Sequence, residues 1–202
     1  MRGVSLKIWL PLTGSLENKG ISNYNIIKAD AVTFSTNGKI GQCATATSSA
    51  NITLTMPELS TFFGDNKTYS LACWVKVVGT ATNGWFIKFG DNNCGLWWAK
   101  SAPRWVWNEN DNGKRCANET ISNDTTNWHH LVITVDKTIS GKITTKQYVD
   151  GALDTNYPGS TFDNPSTKPT GTTITINPYI ASVNDVRIYD HCLSVAEVKE
   201  IS

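Results

Sequence analysis

The fold is decided by three stretches in the last third of the chain, which read NWHHLVITVD (residues 127–136), QYVDG (147–151) and NDVRIYDHCLS (184–194). In the first stretch, Leu131, Ile133 and Val135 fall on one side and the residues between them on the other. This period of two is typical of a β-strand with one face in a core. The stretch therefore predicts a strand of a layered β-sheet protein.

The second and third stretches add a turn and another strand. Asp150 and Gly151 predict a two-residue hairpin turn, because glycine readily adopts the positive φ angles that such turns need. In the third stretch Val186 and Ile188 point one way and their polar neighbours point the other. A helix follows, since Ser194 with a glutamate three residues later forms a capping box.

Outward from these stretches, short β-type runs separated by turn residues occupy most of the chain, which is typical of an antiparallel sandwich or barrel. The predicted strands are 6–11, 32–34, 52–54, 69–77, 85–89, 95–99, 104–108, 130–136, 142–149, 172–176 and 183–189. One helical turn is predicted at 59–63 and a closing helix at 195–201. The longest predicted loop is 155–171, which is rich in Ser, Thr, Asn and Pro.

The three stretches, in this order and spacing, resemble the laminin-G-like, concanavalin A-like lectin/glucanase superfamily, of the type found in bacteriophage structural proteins. The segments GKIGQC (38–43) and YSLACWVK (69–76) are similar to the family's opening strand and first core tryptophan. The opening LKIWLPL (6–12), with NKG (18–20), resembles the phage members more particularly. The resemblance implies an all-β, concanavalin A-like jelly-roll sandwich of two antiparallel sheets with a short C-terminal helix, formed by residues 1–202 as one domain.

Charge and hydropathy exclude several classes of partner. The formal net charge is +1 for 202 residues, and no cluster of basic residues is present, so nucleic acid is not expected as a partner. Lys137, Lys142 and Lys146 are spread along a predicted hairpin and are interpreted as a solvated edge. No apolar run approaches the ~18 residues of a membrane span and no signal peptide is visible, so membrane insertion is not expected.

The cysteines do not indicate a metal site. There are five of them, an odd number without CxxC spacing, so we expect reduced and mostly buried thiols rather than a zinc site or a disulfide framework. They are Cys43, Cys73, Cys94, Cys116 and Cys192.

Five of the eight tryptophans fall in one window and are the strongest functional signal. On the strand 104–108, Trp105 and Trp107 share a face, and one of Trp97 and Trp98 on the neighbouring strand must share it with them. Together with Trp85, these rings predict an aromatic platform. The C–H faces of a sugar stack on indole rings, so the platform indicates carbohydrate binding.

Two interpretations of this window stay open. Aromatic rings on one face of a sandwich strand often belong to the core, and this applies first to Trp105 and Trp107. Alternatively, at least one ring of the window faces a ligand. The predicted ligand-binding residues are Trp85, Trp97, Trp98, Arg104, Trp105, Trp107, Asn108 and Asn110.

Other aromatic and histidine residues are interpreted as structural. Trp74 and Trp128 match core positions of the family that the chain resembles. His130 is predicted to be a hydrogen-bonded structural residue. His129 and His191 are predicted to be exposed and without partners.

Catalytic residues and cofactors are not expected. Retaining glucanases need two carboxylates about 5 Å apart on one face, and the nearest approach, Glu109 with Asp111, lacks the second glutamate of the motif. No catalytic residue, bound metal or other cofactor is therefore predicted. Calcium is the one exception that the sequence allows, because carboxylate and amide oxygens at 91–93 or at 110–111 could bind it.

The sequence thus predicts a non-catalytic carbohydrate-binding or adhesion module, interpreted as a head-decoration or tail protein of a bacteriophage virion. Such a protein is made in the host cytoplasm and acts outside the cell; a bacterial cell surface is the other location considered. Its expected partners are carbohydrate, other virion proteins and, in a homo-oligomer, copies of itself. The alternative is a purely structural virion domain that contacts proteins and binds no sugar.

Overall fold

The computed structural model describes residues 6–64, 67–78, 82–100, 104–109, 112–115, 124–155, 158–163 and 169–202. Its strands are β1 (Leu6–Leu10), β2 (Asn25–Lys28), β3 (Val32–Ser35), β4 (Cys43–Ala46), β5 (Ile52–Thr55), β6 (Thr68–Val77), β7 (Gly84–Phe89), β8 (Gly95–Ala99), β9 (Arg104–Glu109), β10 (Asn112–Arg115), β11 (His129–Asp136), β12 (Lys142–Val149), β13 (Ala152–Leu153), β14 (Gly159–Asp163), β15 (Thr173–Ile176) and β16 (Ala181–Tyr189). Its helices are α1 (Leu59–Phe62) and α2 (Val195–Glu200).

The strands form two antiparallel sheets. A nine-stranded sheet has the order β13-β12-β11-β6-β16-β4-β3, with β1 paired to β16 and β14 paired to β12. A seven-stranded sheet has the order β10-β9-β8-β7-β15-β5-β2. Because β1 and β16 pair, the two ends of the described chain lie in the same sheet. The predicted jelly-roll sandwich with a short C-terminal helix is confirmed.

The main core lies between the sheets and follows the period-two pattern of the strands. In β6, Tyr69, Leu71 and Cys73 point inward, and the residues between them point away from the core. The seven-stranded sheet supplies the facing layer. Its inward residues include Ile52, Leu54, Phe86, Phe89, Leu96, Trp98, Trp105, Trp107, Ile174 and Ile176.

A second, smaller apolar cluster lies on the outer face of the nine-stranded sheet, under α2. It consists of Ala72, Val132, Tyr148, Tyr189, Leu193 and Val198. The predicted capping box starts this helix: Glu197 N donates to Ser194 Oγ (3.3 Å), and Ser194 N donates to Glu197 Oε2 (2.7 Å). The helix is therefore fixed at its start and covers part of an outer sheet face.

The predicted two-residue turn at Asp150 and Gly151 is confirmed, and it packs against the end of α2. Both residues have positive φ, 48° and 81°, and Val149 pairs directly with Ala152 across the turn. A Cβ atom on Gly151 would lie 3.3 Å from the Ser202 side chain. Glycine at this position therefore serves both the turn conformation and the close approach of the helix end.

The strands predicted from the sequence omit β2, β4, β10 and β13. Two other predictions are wrong. The predicted loop 155–171 contains strand β14, which pairs with β12; only Phe162 is buried in it, so the sequence shows no alternation. Lys137 is not on a solvated edge, because its side chain is buried and Nζ donates to Phe63 O (2.9 Å). Lys142 and Lys146 are exposed as predicted, but they do not lie on a sheet edge, because β14 pairs with β12 at both positions.

The thiols agree with the prediction where the structure describes them. Cys43, Cys73 and Cys94 are buried and Cys192 is half-buried, and no disulfide joins any two of these described cysteines, while Cys116 lies outside the described residues. Burial raises the pKa of the Cys73 thiol far above its usual value, so this sulfur stays protonated.

Neither of the two described helices is long and apolar enough to cross a membrane.

Candidate functional site

The tryptophan window divides between the two faces of the seven-stranded sheet. Trp98 and Trp105 are opposite each other in the β8–β9 register, and both point into the core with Trp107. The rings of Trp98 and Trp105 lie 5.0 Å apart, and Trp107 lies 5.7 Å from Phe89. The prediction that one tryptophan of β8 shares a face with those of β9 is confirmed.

This placement corrects the predicted platform. Trp98, Trp105 and Trp107 are only 1–3% exposed, so their rings contact other core side chains and cannot stack on a ligand. The physical reason is that the inner face of this sheet is the layer that packs against the nine-stranded sheet, and large aromatic rings fill that space. Of the two interpretations of Trp105 and Trp107, the core interpretation holds.

Trp85 and Trp97 lie on the outer face of the same sheet and are partly exposed. They are register partners on β7 and β8, with ring centroids 5.2 Å apart and planes at 82°. An irregularity in the β7 register between Trp85 and Ile87 lets Phe86 and Ile87 both be buried while Trp85 faces outward. The two indoles form an edge-to-face pair at the surface.

This pair forms one wall of a groove of about 310 Å³. Neighbouring strands and the residues after β15 complete it, and a third aromatic residue, Tyr179, is among them. The described lining residues are Ser49, Asn51, Thr82, Asn83, Gly84, Trp85, Lys88, Trp97, Thr175, Asn177, Tyr179 and Ile180. The groove combines aromatic rings with side-chain amides and hydroxyls.

The polar side chains of the groove are oriented by backbone hydrogen bonds. Asn83 Oδ1 accepts from Lys100 N (2.6 Å), and Asn177 Oδ1 accepts from Tyr179 N (3.1 Å). These bonds fix which end of each amide is the oxygen. The Nδ2 donor of each amide has no partner among the described residues. Lys88 Nζ donates to Asp91 O (3.1 Å). The groove therefore presents fixed hydrogen-bond donors beside the indole pair.

The structure brings together only part of the predicted site. Asn108 is half-buried on the outer face of β9, opposite Gly95, and is not among the groove-lining residues. The side chain of Arg104 and all of Asn110 lie outside the described residues. Sequence reasoning missed Asn51, Asn83, Thr175, Asn177 and Tyr179, which β5, β7 and β15 bring together from distant parts of the chain.

His130 confirms the structural interpretation. It is 1% exposed, and its ring centroid lies 4.9 Å from that of Trp74. The Ser202 hydroxyl donates to Val198 O (2.7 Å) and accepts from His130 Nδ1 (2.9 Å). Burial lowers the pKa of His130 to about 4, so the ring is neutral near pH 7.

The predictions for the other two histidines are wrong. His129 is only partly exposed, and its Nδ1 and Nε2 lie 2.8 Å from Asp150 Oδ2 and 3.2 Å from Asp124 Oδ2. His191 is half-buried, with ring nitrogens 3.5 Å from an Asp190 oxygen and 3.6 Å from a Glu197 oxygen. Asp150 reaches His129 through the hairpin turn, and Glu197 reaches His191 from α2, so these two contacts depend on the fold.

Trp74 and Trp128 have different environments. Trp74 is buried on the outer side of β6, beneath the Lys39 ammonium, whose Nζ is 4.2 Å from the ring centroid. Trp128 is half-buried, and its Nε1 donates to Asn37 O (3.1 Å). The structural interpretation holds for the buried Trp74, whereas Trp128 is only half-buried; both rings border one surface cleft.

No metal cluster of the usual side chains occurs in the part of the chain that the structure describes: no three His, Cys, Asp or Glu residues come together there. Asp91, Asn92 and Asn93 form the turn between β7 and β8, next to the groove. Asp111 lies outside the described residues, and so does the side chain of Glu109. Calcium binding at 91–93 stays a prediction.

Comparison with known proteins gives the family. Residues 44–199 match the laminin G family described as the concanavalin A-like lectin/glucanases superfamily. No curated protein matches the sequence.

The solved structures that resemble the chain include binding domains of botulinum neurotoxins. The receptor-binding domain of botulinum neurotoxin D has a TM-score of 0.74 and 16% identity, covering 98% of this chain and 52% of that one. A structure of the type C toxin, described with the statement that cell entry depends on interaction with two ganglioside molecules, has a TM-score of 0.71 and 16% identity, covering 98% of this chain and 50% of that one. The binding domain of botulinum neurotoxin DC in complex with SialylT has a TM-score of 0.69 and 15% identity, covering 98% of this chain and 50% of that one.

The chain thus spans about half the length of these solved structures. At such low identities the likeness establishes the fold alone. The sequence match covers most of the chain, including all three stretches that decided the fold. The chain belongs to the concanavalin A-like lectin/glucanases superfamily.

Proposed function

We propose that this protein is a non-catalytic carbohydrate-binding or adhesion module whose sugar site is the groove of Trp85 and Trp97. The observation that carries the proposal is the pair of partly exposed indoles, 5.2 Å apart and nearly perpendicular, on a groove lined with amides and hydroxyls. The C–H face of a sugar ring can stack on one indole while the other borders its edge. Asn83 and Asn177 supply donors for the hydroxyl groups.

The indole pair rests on a rigid base, which favours binding. Directly beneath β7 and β8, Phe86 and Trp98 are buried, and Trp105 contacts both, at 5.1 Å and 5.0 Å. Strands packed this way hold their outward side chains in place, so little conformational entropy is lost when a ligand binds. The buried tryptophans therefore support the site without contacting the sugar.

The lining of the groove supports binding without catalysis. Glycoside hydrolysis needs two carboxyl groups, about 5 Å apart for retention and about 6.5–9.5 Å apart for inversion. Among the described lining residues there is no aspartate, glutamate or histidine. The hydrogen-bonding groups are amides, hydroxyls and one lysine, which suit recognition of sugar hydroxyls.

The proposal extends to the biological setting. We place residues 1–202, as one domain, in a bacteriophage virion, where the protein attaches the particle to surface glycans outside the cell. The opening residues 6–12 and 18–20, which resemble phage members of the family, support this setting. Single groove affinities of this type are modest, and the many copies on a virion would raise the overall avidity. The neurotoxin domains described with gangliosides and SialylT support a glycan-binding use of the same fold.

The test is a glycan array probed with multivalent protein, with and without calcium, comparing wild type with a Trp85→Ala/Trp97→Ala variant. We expect at least a tenfold loss of binding in the variant, while circular dichroism shows an unchanged fold. The matched control is Val106→Ala, because Val106 is the outer-face partner of Trp97 on β9 and does not line the groove. Dependence on calcium would point to residues 91–93 or 110–111, the two positions predicted from the sequence.

Two results would contradict the proposal. Binding that persists in the folded double variant would move the sugar site elsewhere, and Asn108, Arg104 and Asn110 would be tested next as the remaining predicted residues. No binding of any glycan in either condition would favour the alternative, a structural virion domain that contacts other proteins.

A further inference from the structure

A second cleft lies on the opposite side of the sandwich, where the outer face of the nine-stranded sheet is only partly covered. It is formed by the turn after β12, the end of α2 and the segment around Lys39, and its volume is about 530 Å³. Its described lining residues are Lys39, Trp74, Trp128, Asp150, Gly151, Ala152, Lys199 and Ser202. Two indoles and two ammonium groups thus border one cleft.

The charged side chains that line the cleft are two lysines and one aspartate. Lys39 and Lys199 form no ion pair with any described residue. The carboxylate of Asp150, the acidic side chain of the lining, is engaged instead: Oδ2 lies 2.8 Å from His129 Nδ1, and Oδ1 accepts from His130 N (2.8 Å). Both ammonium groups therefore remain available to an anion.

The apolar part of the cleft is held in a fixed orientation. Trp74 forms its base, packed on His130, and Lys39 Nζ sits 4.2 Å from the Trp74 ring centroid. Trp128 is fixed by the hydrogen bond from its Nε1 to Asn37 O (3.1 Å). Because the Lys39 ammonium is placed over an aromatic ring, it does not need a carboxylate partner to be held there.

We propose that this cleft binds an acidic saccharide, with a carboxylate or sulfate between Lys39 and Lys199 and the C–H face of the sugar against Trp128. Charge-assisted hydrogen bonds from two ammonium groups favour an anionic sugar over its neutral counterpart. Two cations are too few for a polyanionic nucleic acid. The cleft is separate from the groove of Trp85 and Trp97, so this inference does not depend on the proposed function.

The experiment measures the binding of sialyllactose and of sulfated lactose, each against lactose, by calorimetry and by NMR of the indole Nε1–H signals. We expect both acidic sugars to shift the Trp128 signal and to bind at least tenfold more tightly there than lactose. A Lys39→Gln/Lys199→Gln variant should lose at least tenfold in affinity for them. Added salt should weaken binding to the wild type, because the contact is ionic.

The matched control is Lys146→Gln, which removes an exposed lysine of β12 outside the cleft and should leave the affinity unchanged. A Lys39→Arg/Lys199→Arg variant should retain binding, since it keeps both charges. A preference for only one of the two acidic sugars would identify carboxylate or sulfate as the ligand group.

The inference is overturned if neither acidic sugar binds more tightly than lactose, or if the Lys39→Gln/Lys199→Gln variant binds them as well as wild type. It is also overturned if the acidic sugars shift only Trp85 and Trp97. The Trp85→Ala/Trp97→Ala variant separates the two proposals: acidic sugars that still shift Trp128 in it support this cleft even if the groove binds no glycan.

Discussion

The outer faces of the two sheets start from the same strand pattern and end in different environments. Alternation places Trp97 on the outside of the seven-stranded sheet, and the irregularity in β7 turns Trp85 to the same face. Alternation also places Trp74 and His130 on the outside of the nine-stranded sheet. The first pair is partly exposed, whereas Trp74 is 7% exposed and His130 is 1% exposed. The strand pattern determines the face, but what packs on that face determines exposure.

The cover on the nine-stranded sheet comes from the end of the chain. Helix α2 and its second apolar cluster lie over the sheet, Ser202 bonds to His130, and Lys39 lies over Trp74. Groups beneath this cover contribute to stability, and groups on the uncovered face are free to contact a ligand. At the edge of the cover, Trp128 and two lysines border a cleft, so this outer face combines both roles.

The largest difference between the two outer faces is expected when one tryptophan on each is replaced by alanine. Trp74→Ala should lower the free energy of unfolding by about 3–5 kcal/mol, as expected for a buried tryptophan. Trp97→Ala should cost only about 1 kcal/mol, because its ring is already partly in water. Urea denaturation of the two variants gives both values.

Equal losses in the two variants would show that the two faces do not differ in cover. The slope of the free energy against urea concentration should be the same in both variants and in wild type, which confirms that only stability has changed.

A second test of the comparison weakens the packing of α2 on the nine-stranded sheet. Leu193→Ala should cost about 3 kcal/mol, because Leu193 is buried in the cluster between α2 and the sheet. The matched control is Val195→Ala in the first turn of the same helix: Val195 is exposed, so the change should stay within about 0.5 kcal/mol. Thermal or urea unfolding measures the loss of unfolding free energy in both variants. A loss in Leu193→Ala as small as that in Val195→Ala would mean that α2 adds no stabilising contact.

Much of the fold could be predicted from sequence because local chemistry specifies it. Alternation located most strands to within a residue or two, the Asp150–Gly151 turn followed from positive φ, and the capping box at Ser194 fixed the start of α2. Strands β2, β4, β10, β13 and β14 were not predicted; each is five residues or shorter, and in β14 only Phe162 is buried. The burial of Lys137 was not predicted because it depends on a hydrogen bond to Phe63 O, which lies far away in the chain.

The site was predictable only in part. The tryptophan window includes Trp85 and Trp97, which line the groove, but the sequence could not separate them from the buried Trp98, Trp105 and Trp107. That separation depends on which face of the seven-stranded sheet meets the other sheet. The groove's amides at Asn83 and Asn177 become neighbours only because β7 pairs with β15, and that pairing has no local signal.

The smallest expected effect concerns the proton on His130, beneath the cover. Its pKa is lowered to about 4, chiefly by burial; Arg187 and Lys39 also lower the pKa, while Asp185 and Asp150 raise it. In the unfolded chain the pKa is about 6.5. Above that pH both states are neutral and the group adds no pH dependence. As the pH falls from 8 to 5, the unfolded state binds a proton that the folded state does not, so the free energy of unfolding should drop by about 2 kcal/mol.

A His130→Phe variant isolates this contribution. Phenylalanine keeps a ring against Trp74 and loses the hydrogen bond to Ser202, so the variant differs from wild type by a constant amount above pH 7. Below pH 6.5 its unfolding free energy should fall less steeply, because the variant has no imidazole at position 130 that takes up a proton on unfolding. Groups that are the same in both proteins cancel in the difference. Parallel pH profiles would mean that solvent reaches His130 and that the cover over this outer face is open. A difference that grows to about 2 kcal/mol by pH 5 would show that the cover excludes the proton.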